Sequence, residues 1–405
     1  MVVSRRTGIL TILSCFQQVQ MPQTPSTRSF ERAALNWPAV IMFVLTTVPA
    51  VTLFPWYLIT VGFDTFEVIS FVLLLGATGL SITAGYHRLW AHRAYEAHPL
   101  MKIPLMLFGA MALQNSILIW ASMHRIHHKH VDDEDHDPYS AKRGLWFSHM
   151  GWMLRNYPSS ELDYKNARDL KDDPIVMFQH RHYLALALGM NFGLPALLGW
   201  INGDLWGSLL LAGVMRLVIS QHVTFFINSL AHYWGRQPYT SANTARDNDV
   251  LALVTYGEGY HNYHHLFQWD YRNGIRWWHF DPTKWLIAAS SWVGLASDLK
   301  RVPNFVIQRA ILQRQFEIAR ERISHAGRET DPRLARLHGL LEQEWQHFSH
   351  TLAEWTQLQS ERFDAAKQQL ADQWENSDMR KRLRTLETNL RQQSARVRLL
   401  HLQAA

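Results

Sequence analysis

The chain has 405 residues, a formal net charge of +6 and one cysteine, and 47% of its residues are hydrophobic. Its positive charge suits an anionic membrane surface better than nucleic acid, because no basic-aromatic RNA-binding motif is present. A single cysteine excludes an intrachain disulfide and a thiolate metal cluster, so any metal must be held by nitrogen or oxygen. The 22 histidines and 17 tryptophans direct attention to metal binding and to membrane interfaces.

Residues 1–36 are predicted to form an N-terminal segment in the cytoplasm. The segment has a basic start and a short apolar run, but no small-residue cleavage site follows, so removal as a signal peptide is not expected. Met21 is an alternative start, and the sequence leaves the choice between Met1 and Met21 open.

Residues 37–302 contain four apolar segments long enough to cross a bilayer, which takes about 20 helical residues. The segments run from Trp37 to about Thr60, Phe66 to about Tyr86, Tyr183 to about Ile201, and Leu205 to about Phe226. The connectors within each pair, 61–65 and 202–204, contain no Lys or Arg, whereas the central stretch and both termini are basic. The positive-inside rule therefore predicts two helical hairpins, with the central stretch and both termini in the cytoplasm.

A fifth apolar run, from Ile103 to Trp120, is predicted to be buried or interfacial on the cytoplasmic side. It includes Pro104, Gln114 and Asn115. As a membrane span, it would place the histidines on its two sides at opposite faces of the bilayer.

Residues 303–405 are polar and are predicted to form a helical, amphipathic extension, with a helix start at Asp331-Pro332. Apolar residues recur at spacings of three and four, the stripe of an amphipathic helix or short coiled coil, at Leu341, Trp345, Phe348, Leu352 and Trp355. Packing of the extension on itself or on a second copy is the simpler interpretation. Docking of a redox partner or of anionic lipid is the alternative.

Histidines cluster beside the apolar segments. His87 and His92, in HRLWAH, are five residues apart, which rotates about 140° on an α-helix, so their rings share a face only if the helix ends or bends. Two further clusters have the spacing i, i+3, i+4, which places three rings on one helical face. These are His124, His127 and His128 in HRIHHKH, and His261, His264 and His265 in HNYHH. Asn228 and His232, four residues apart, also share a face.

These nine imidazoles exceed the roughly six ligands of one ion and suit two adjacent metals. Zinc, copper, iron and nickel all accept imidazole, so the ligand type leaves the metal open. Two-zinc hydrolases usually add carboxylates, whereas the clusters contain none, although acidic residues lie near them in sequence at Asp132, Asp133, Glu134 and Glu258. A nearly all-nitrogen pair of metals beside a bilayer favours oxygen activation over hydrolysis.

Other histidines fall outside these spacings and are predicted not to be metal ligands, with His149 and His279 as the first exceptions to consider. They are His98, His130, His136, His149, His180, His182, His222 and His279.

Five stretches resemble the membrane acyl-CoA desaturases of the stearoyl-CoA delta-9 type: HRLWAHRAYEA, HRIHHKH, DPYSAKRGLWFSHMGW, NSLAHYWG and GEGYHNYHH. The resemblance runs from about Trp37 to about Val302. It implies an all-α integral membrane protein with four transmembrane helices in two hairpins and a cytoplasmic helical cap that holds two iron ions. It also implies an oxygen-dependent desaturase that places a cis double bond, at delta-9, in a saturated long-chain acyl-CoA.

The same resemblance implies roles for individual residues. The metal ligands would be His87, His92, His124, His127, His128, His232, His261, His264 and His265, with Asn228 acting through a water, and no further catalytic residue is implied. Gln114, Trp120 and Thr224 would shape the bend of an acyl tunnel. Bulk at Phe71 and Leu75 is expected to limit the length of the acyl chain.

The chemistry needs O2 as co-substrate and two external electrons. No haem, flavin or iron–sulfur motif is present in the sequence, so the donor would be of the cytochrome b5, ferredoxin or flavin reductase type. The sequence departs from the family pattern at two positions that bear on the identity of the acyl carrier. Ser122 and Met123 stand where animal acyl-CoA enzymes have an Arg-Asp pair that contacts CoA. Asn115, another CoA contact, is retained, and Arg155 is a candidate phosphate partner. CoA is favoured, membrane glycerolipid is the main alternative, and acyl carrier protein is the third.

Two other functions fit the sequence less well than a desaturase. A membrane di-iron hydroxylase of alkanes or lipids usually has three residues between the two histidines of its first histidine cluster, called the first box. The corresponding motif here, HRLWAH, has four. A metal-binding scaffold or transporter would place its histidines at mid-bilayer, whereas here they lie at the ends of the apolar segments.

Overall fold

The computed structural model describes residues 33–162, 164–325, 332–367 and 378–404. These residues are mostly helical, and the sheet within them is one antiparallel pair of two-residue strands. The expectations about a signal peptide and about Met21 fall outside the described residues.

Four helical segments are long and apolar enough to cross a membrane: Trp37–Thr60, Thr65–Ala91, Pro174–Asn202 and Leu205–Tyr233. They confirm the four predicted segments and are called spans 1 to 4. Span 1 consists of α1 (Trp37–Val51) and α2 (Leu53–Thr60), and span 2 consists of α3 (Thr65–Leu80) and a π-helix (Ser81–Ala91).

The stretch between the two pairs of spans begins with β1 (Glu96–Ala97), α4 (Pro99–Ala110) and α5 (Ile117–His130). The fifth apolar run forms α4 and the start of α5, and α4 is too short to be counted among the spans, as predicted. Two short helices follow, α6 (Leu145–His149) and α7 (Arg168–Lys171), with 3-10 turns at Ala141–Arg143, Gly151–Met153, Pro158–Ser160 and Lys165–Ala167.

Spans 3 and 4 each contain a π-helical turn. Span 3 consists of α8 (Pro174–Leu188), a π-helix (Gly189–Gly193) and α9 (Leu194–Asn202). Span 4 consists of α10 (Leu205–Ser208), a π-helix (Leu209–Met215), α11 (Arg216–Asn228) and α12 (Leu230–Tyr233).

The chain after span 4 forms α13 (Asp249–Val254), α14 (His261–Leu266), α15 (Pro282–Trp292) and β2 (Ala296–Ser297). Pairing of β2 with β1 joins this region to the stretch between the pairs of spans. We call the two regions, 92–173 and 234–302, the cap.

The extension contains three helices, α16 (Asn304–His325), α17 (Pro332–Lys367) and α18 (Asp378–Ala404). Their shared core includes Leu312, Phe316, Leu341, Phe348, Leu390 and Val397. The predicted apolar stripe of α17 faces this core, because Leu341 and Phe348 are buried and Trp345 and Leu352 pack against them. The extension is therefore amphipathic and helical, as expected, and packs on itself. Asp331 lies outside the described residues.

The tips of the two hairpins are tied together at the end of the spans away from the histidines. The Asp64 side chain caps α3 and also accepts a hydrogen bond of 2.8 Å from the Asn202 amide. Asp204 caps α10 and accepts a 2.5 Å hydrogen bond from the Tyr57 hydroxyl. These capped ends satisfy backbone N–H groups that would otherwise lack partners in the membrane.

Inside the bundle, the buried guanidinium of Arg216 connects spans 3 and 4 to the end of α4. It donates hydrogen bonds to the Met111 carbonyl at 2.8 Å, to the Ala212 carbonyl at 3.1 Å and to the Asn191 side chain. A buried charge requires such partners, so this contact fixes the position of α4 against the spans.

We predict that Gly109→Ala destabilises the protein. A Cβ atom at Gly109 would lie 2.3 Å from the buried Tyr86 ring, whose hydroxyl accepts a 2.6 Å hydrogen bond from Gln179. Moving that ring should lower the free energy of unfolding by about 1–3 kcal/mol. Gly76→Ala is the control, because a Cβ there meets no atom within 4 Å. Thermal unfolding in detergent would check this, and equal melting temperatures for the two variants would contradict it.

Candidate metal centre

The nine histidines singled out by the sequence meet at one end of the spans, in two groups. In each group, every ring offers one nitrogen that lies within 4.8 Å of the others. Group 1 contains five residues, His87, His92, His124, His128 and His264. Group 2 contains four residues, His127, His232, His261 and His265. Each HxxHH cluster is therefore divided between the groups, because its members at i and i+4 enter one group and its member at i+3 enters the other.

A π-helix explains how His87 and His92 reach the same group. The His92 N–H donates to the His87 carbonyl at 3.0 Å, and a bond across five residues is the defining contact of a π-turn. The two ring centroids are consequently 4.7 Å apart. The π-helix ends at Ala91, between the two histidines, as the sequence required for their rings to converge, and its wider last turn brings His92 back beside His87.

The Nε2 atoms of the nine rings point at one another. In group 1, the Nε2 atom of His264 is 3.0 Å from those of both His87 and His128. In group 2, the Nε2 atom of His261 is 3.1 Å from that of His232 and 3.0 Å from that of His265. Buried nitrogens that converge in this way form a donor set that fits metal ions of the imidazole-binding class.

The two groups are adjacent. The rings of His128 in group 1 and His265 in group 2 stack with their centroids 4.4 Å apart. The arrangement therefore suits two neighbouring metal ions, and the residues present fit the pair of irons that the resemblance implies.

Burial favours the neutral form of five of these rings, all of which lie outside the membrane spans. It lowers the pKa of His124, His128 and His264 well below the ordinary value, and repulsion between neighbouring imidazoles lowers it further. The same causes lower the pKa of His92 and His265. Neutral imidazole is the form that binds metal.

A buried carboxylate lies behind group 1. The Nδ1 atom of His87 is 2.9 Å from Oε2 of Glu258, and the Arg88 guanidinium donates to the other oxygen of Glu258 at 2.8 Å. Burial would raise the pKa of Glu258, but Arg88 and His87 hold it below its usual value, so the carboxylate is ionised. Glu258 can therefore accept the Nδ1–H of His87 and leave Nε2 free for a metal.

The loop after α5 supports group 2. Oδ1 of Asp137 lies 2.9 Å from Nδ1 of His127. The Asp132 carboxylate accepts a 2.6 Å hydrogen bond from the Thr244 hydroxyl, whose oxygen is 2.9 Å from Nδ1 of His232. Each of these contacts orients an imidazole through the nitrogen that faces away from the centre.

Sequence reasoning missed these roles. Asp132 and Glu258 were noticed only as neighbours in the sequence, and Asp137 and Thr244 were not singled out. The abundance of acidic residues in the loop after HRIHHKH was the one available signal.

Residues expected to shape a tunnel lie beside group 1. The Trp120 ring stacks on His124 with centroids 4.9 Å apart, and its N–H donates to Gln114 at 3.3 Å. The Gln114 amide in turn donates to the Thr224 hydroxyl at 3.0 Å. Thr224 and Leu75 also line a cavity of about 260 Å³ between spans 2 and 4 and the cap.

The other expected substrate residues lie in different surroundings. Phe71 is half-buried and is not among the residues that line this cavity. Asn115 is exposed and has a left-handed backbone, with φ of 73°. Arg155 is half-buried and its backbone forms a β-bridge with Leu35.

Asn228 ends α11 four residues before His232 and is half-buried. The two histidines considered as exceptions belong to neither group. His149 pairs with His222, with ring nitrogens 3.0 Å apart, and His279 stacks on Tyr260.

We predict that Glu258→Gln and Asp137→Asn weaken metal binding without removing a ligand. Each change alters the acceptor that orients a histidine, an effect expected to cost about 10–100-fold in metal affinity. Glu134→Gln is the control, because Glu134 is an exposed carboxylate in the same loop as Asp137. Iron retained during dialysis against a chelator would be measured for each variant. Retention equal to that of the unchanged protein would contradict a positioning role.

The chain is similar to known proteins over most of its length. A fatty acid desaturase family model matches residues 65–291. Acyl-CoA desaturase 1 of Saccharomyces cerevisiae is 41% identical over 302 residues, which cover 74% of this chain and 58% of the yeast protein. Stearoyl-CoA desaturase 5 of Homo sapiens is 40% identical over 243 residues, covering 59% of this chain and 73% of the human protein. Acyl-CoA Delta12-desaturase of Acheta domesticus is 40% identical over 291 residues, covering 69% of this chain and 79% of the cricket protein.

The chain spans 58% of the length of the fungal relatives. The matched part contains spans 2, 3 and 4 and all nine converging histidines, since the family model extends from the start of span 2 into α15. The extent of this match, together with the similarity to the animal relatives, shows that the chain belongs to the fatty acid desaturase family.

Proposed function

We propose that the protein is an oxygen-dependent fatty acyl desaturase that introduces a cis double bond into a saturated long-chain acyl group. The observation that carries the proposal is the convergence of nine Nε2 atoms, from six buried and three half-buried imidazoles, in two adjacent groups. Membership of the desaturase family and the apolar cavity between spans 2 and 4 and the cap support it. A hydroxylase would share the metal chemistry, but the four residues within the first box and the family relatives favour desaturation.

The centre would hold two iron ions, one in each group of histidines, with Asn228 completing group 2 through a water. When bound, the irons supply the activation of O2 that removes hydrogen from unreactive methylene groups. In the overall balance, O2 is reduced to two molecules of water by two electrons and two protons from outside and two hydrogen atoms from the acyl chain. The carbons that lose hydrogen form the double bond.

The protein's own residues would select those carbons. The cavity between spans 2 and 4 is lined mostly by apolar side chains, including Leu75, Ile82 and Val223, which suit a methylene chain and exclude water. Thr224 lines the same cavity, and its hydrogen bond to Gln114 connects the cavity to Trp120 and His124. This chain of contacts would position the acyl group against the centre.

We propose CoA as the acyl carrier and delta-9 as the position. The names of the yeast and human relatives support CoA, whereas the cricket relative is named for a different position at similar identity, so identity alone leaves the position open. Ser122 is buried and its hydroxyl donates to Asn166 at 2.7 Å. A side chain held there offers no charge to a CoA phosphate, which keeps glycerolipid as the alternative.

We also propose that the histidine end and both termini face the cytoplasm. The basic residues of the cap and termini, and the absence of Lys and Arg from both hairpin connectors, support this orientation. An external donor of the cytochrome b5, ferredoxin or flavin reductase type would then reach the centre from the cytoplasm.

The proposal is tested by offering stearoyl-CoA and a stearoyl phospholipid separately to the purified, iron-loaded protein with a reductase. We expect a monounsaturated product from stearoyl-CoA, with the double bond located by mass spectrometry. A product formed from the phospholipid alone would show that the acyl carrier is a glycerolipid rather than CoA. Hydroxylated fatty acid, or no product from either substrate, would overturn the desaturase assignment.

We predict that His128→Ala and His264→Ala each abolish turnover through loss of bound iron, since each removes a nitrogen from the centre of group 1. The membrane spans should remain folded, as judged by circular dichroism. His350→Ala, in the exposed surface of α17, is the control and should keep both iron and activity. Full turnover in either variant would remove that histidine from the ligand set.

We predict that Leu75→Ala shifts the products towards longer acyl chains, because Leu75 lines the cavity. Phe71→Ala is the comparison, since Phe71 precedes Leu75 by one helical turn but does not line that cavity. Gas chromatography of products from mixed acyl-CoA substrates would measure the shift. An unchanged chain-length profile for Leu75→Ala would show that the cavity does not hold the acyl chain.

A further inference from the structure

A third group of metal-binding side chains lies outside the nine-histidine centre. His130, Asp133 and His136 each present a donor atom within 4.8 Å of the other two. His130 is the last residue of α5, and the other two lie in the loop that follows. Neither histidine belongs to group 1 or group 2, and the proposed function does not use them.

The loop brings these three side chains together. Asp133 Oδ1 accepts hydrogen bonds from the backbone N–H groups of Asp135 at 2.9 Å and His136 at 3.1 Å. Oδ2 of Asp133 lies 2.9 Å from Nδ1 of His136. The His136 ring consequently stacks on His130, with centroids 5.2 Å apart and an interplanar angle of 27°. Because the turn already holds the side chains close, little further ordering is needed for them to share a ligand.

The donor set has a definite chemical preference. Two imidazoles and one carboxylate are ligands of zinc and similar divalent transition metals, whereas Mg²⁺ and Ca²⁺ prefer oxygen alone. The His136 side chain is 65% exposed and that of Asp133 is 42% exposed, so water can fill the remaining coordination positions.

We propose that His130, Asp133 and His136 bind one divalent transition-metal ion of the zinc class, at a solvent-facing site separate from the nine-histidine centre. The same loop carries Asp132 and Asp137, which hold Thr244 and His127 behind group 2. An ion bound here therefore restrains the loop that orients group 2.

The test uses the full, iron-loaded protein with Zn²⁺ as the probe. After incubation with zinc and removal of the free ion, zinc and iron per chain are measured together by mass spectrometry. The variants are His136→Ala, which removes one ligand, and Asp133→Asn, which removes the charge but keeps an oxygen for the backbone contacts. His338→Ala, an exposed histidine of α17, is the matched control.

We expect the unchanged protein and His338→Ala to hold one zinc ion more than His136→Ala, with equal iron in all three. Asp133→Asn should bind zinc more weakly than the unchanged protein. If His136→Ala fails to fold, the zinc content of Asp133→Asn provides the test instead. Equal zinc in the unchanged protein and both loop variants would overturn the proposal. Zinc uptake that occurs only as iron is lost would also overturn it, because the zinc would then occupy the nine-histidine centre.

Discussion

Nine imidazoles, six buried and three half-buried, point the same ring nitrogen into two adjacent groups, and much of the structure serves to hold them there. Burial and mutual repulsion lower the pKa of His92, His124, His128, His264 and His265 and so favour their neutral form. A neutral imidazole has one proton for two nitrogens, and Glu258, Asp137 and Thr244 attract that proton to the nitrogen facing away from the centre at three of the rings. The lone pairs of the Nε2 atoms then face one another, and bound metal ions relieve their mutual repulsion. Metal binding and folding of the cap should therefore be coupled.

The histidines come from elements far apart in the chain, and this constraint accounts for much of the architecture. Span 2 contributes His87 through its π-helix and His92 directly follows that helix. Helices α5 and α14 contribute three histidines each, and span 4 contributes His232. Arg216 fixes α4 against the spans, and the hydrogen bonds between the hairpin tips hold the two pairs together at the opposite end. Ion pairs from Arg88 to Glu258 and Asp281 connect span 2 to the second half of the cap.

Much of this was predictable from local sequence patterns. Long apolar runs identify the spans, and the spacing i, i+3, i+4 places each histidine trio on one side of a helix. The division of those trios between two groups was not predictable, because it depends on what faces the helix from another part of the chain. The π-turn between His87 and His92 was equally hidden, since residue spacing alone does not reveal which helical period a segment adopts. The contact from Asp132 through Thr244 to His232 joins residues with no periodic relation, so no sequence pattern reports it.

We propose that the two histidine groups hold two irons with nitrogen ligands. Mössbauer spectroscopy on protein loaded with enriched iron, combined with iron analysis per chain, is the decisive experiment. We expect two irons per chain in nitrogen-rich environments, and loss of one iron environment when His232 in group 2 is replaced by alanine. One iron or none in active protein, or two irons whose spectra are unchanged by that replacement, would contradict it.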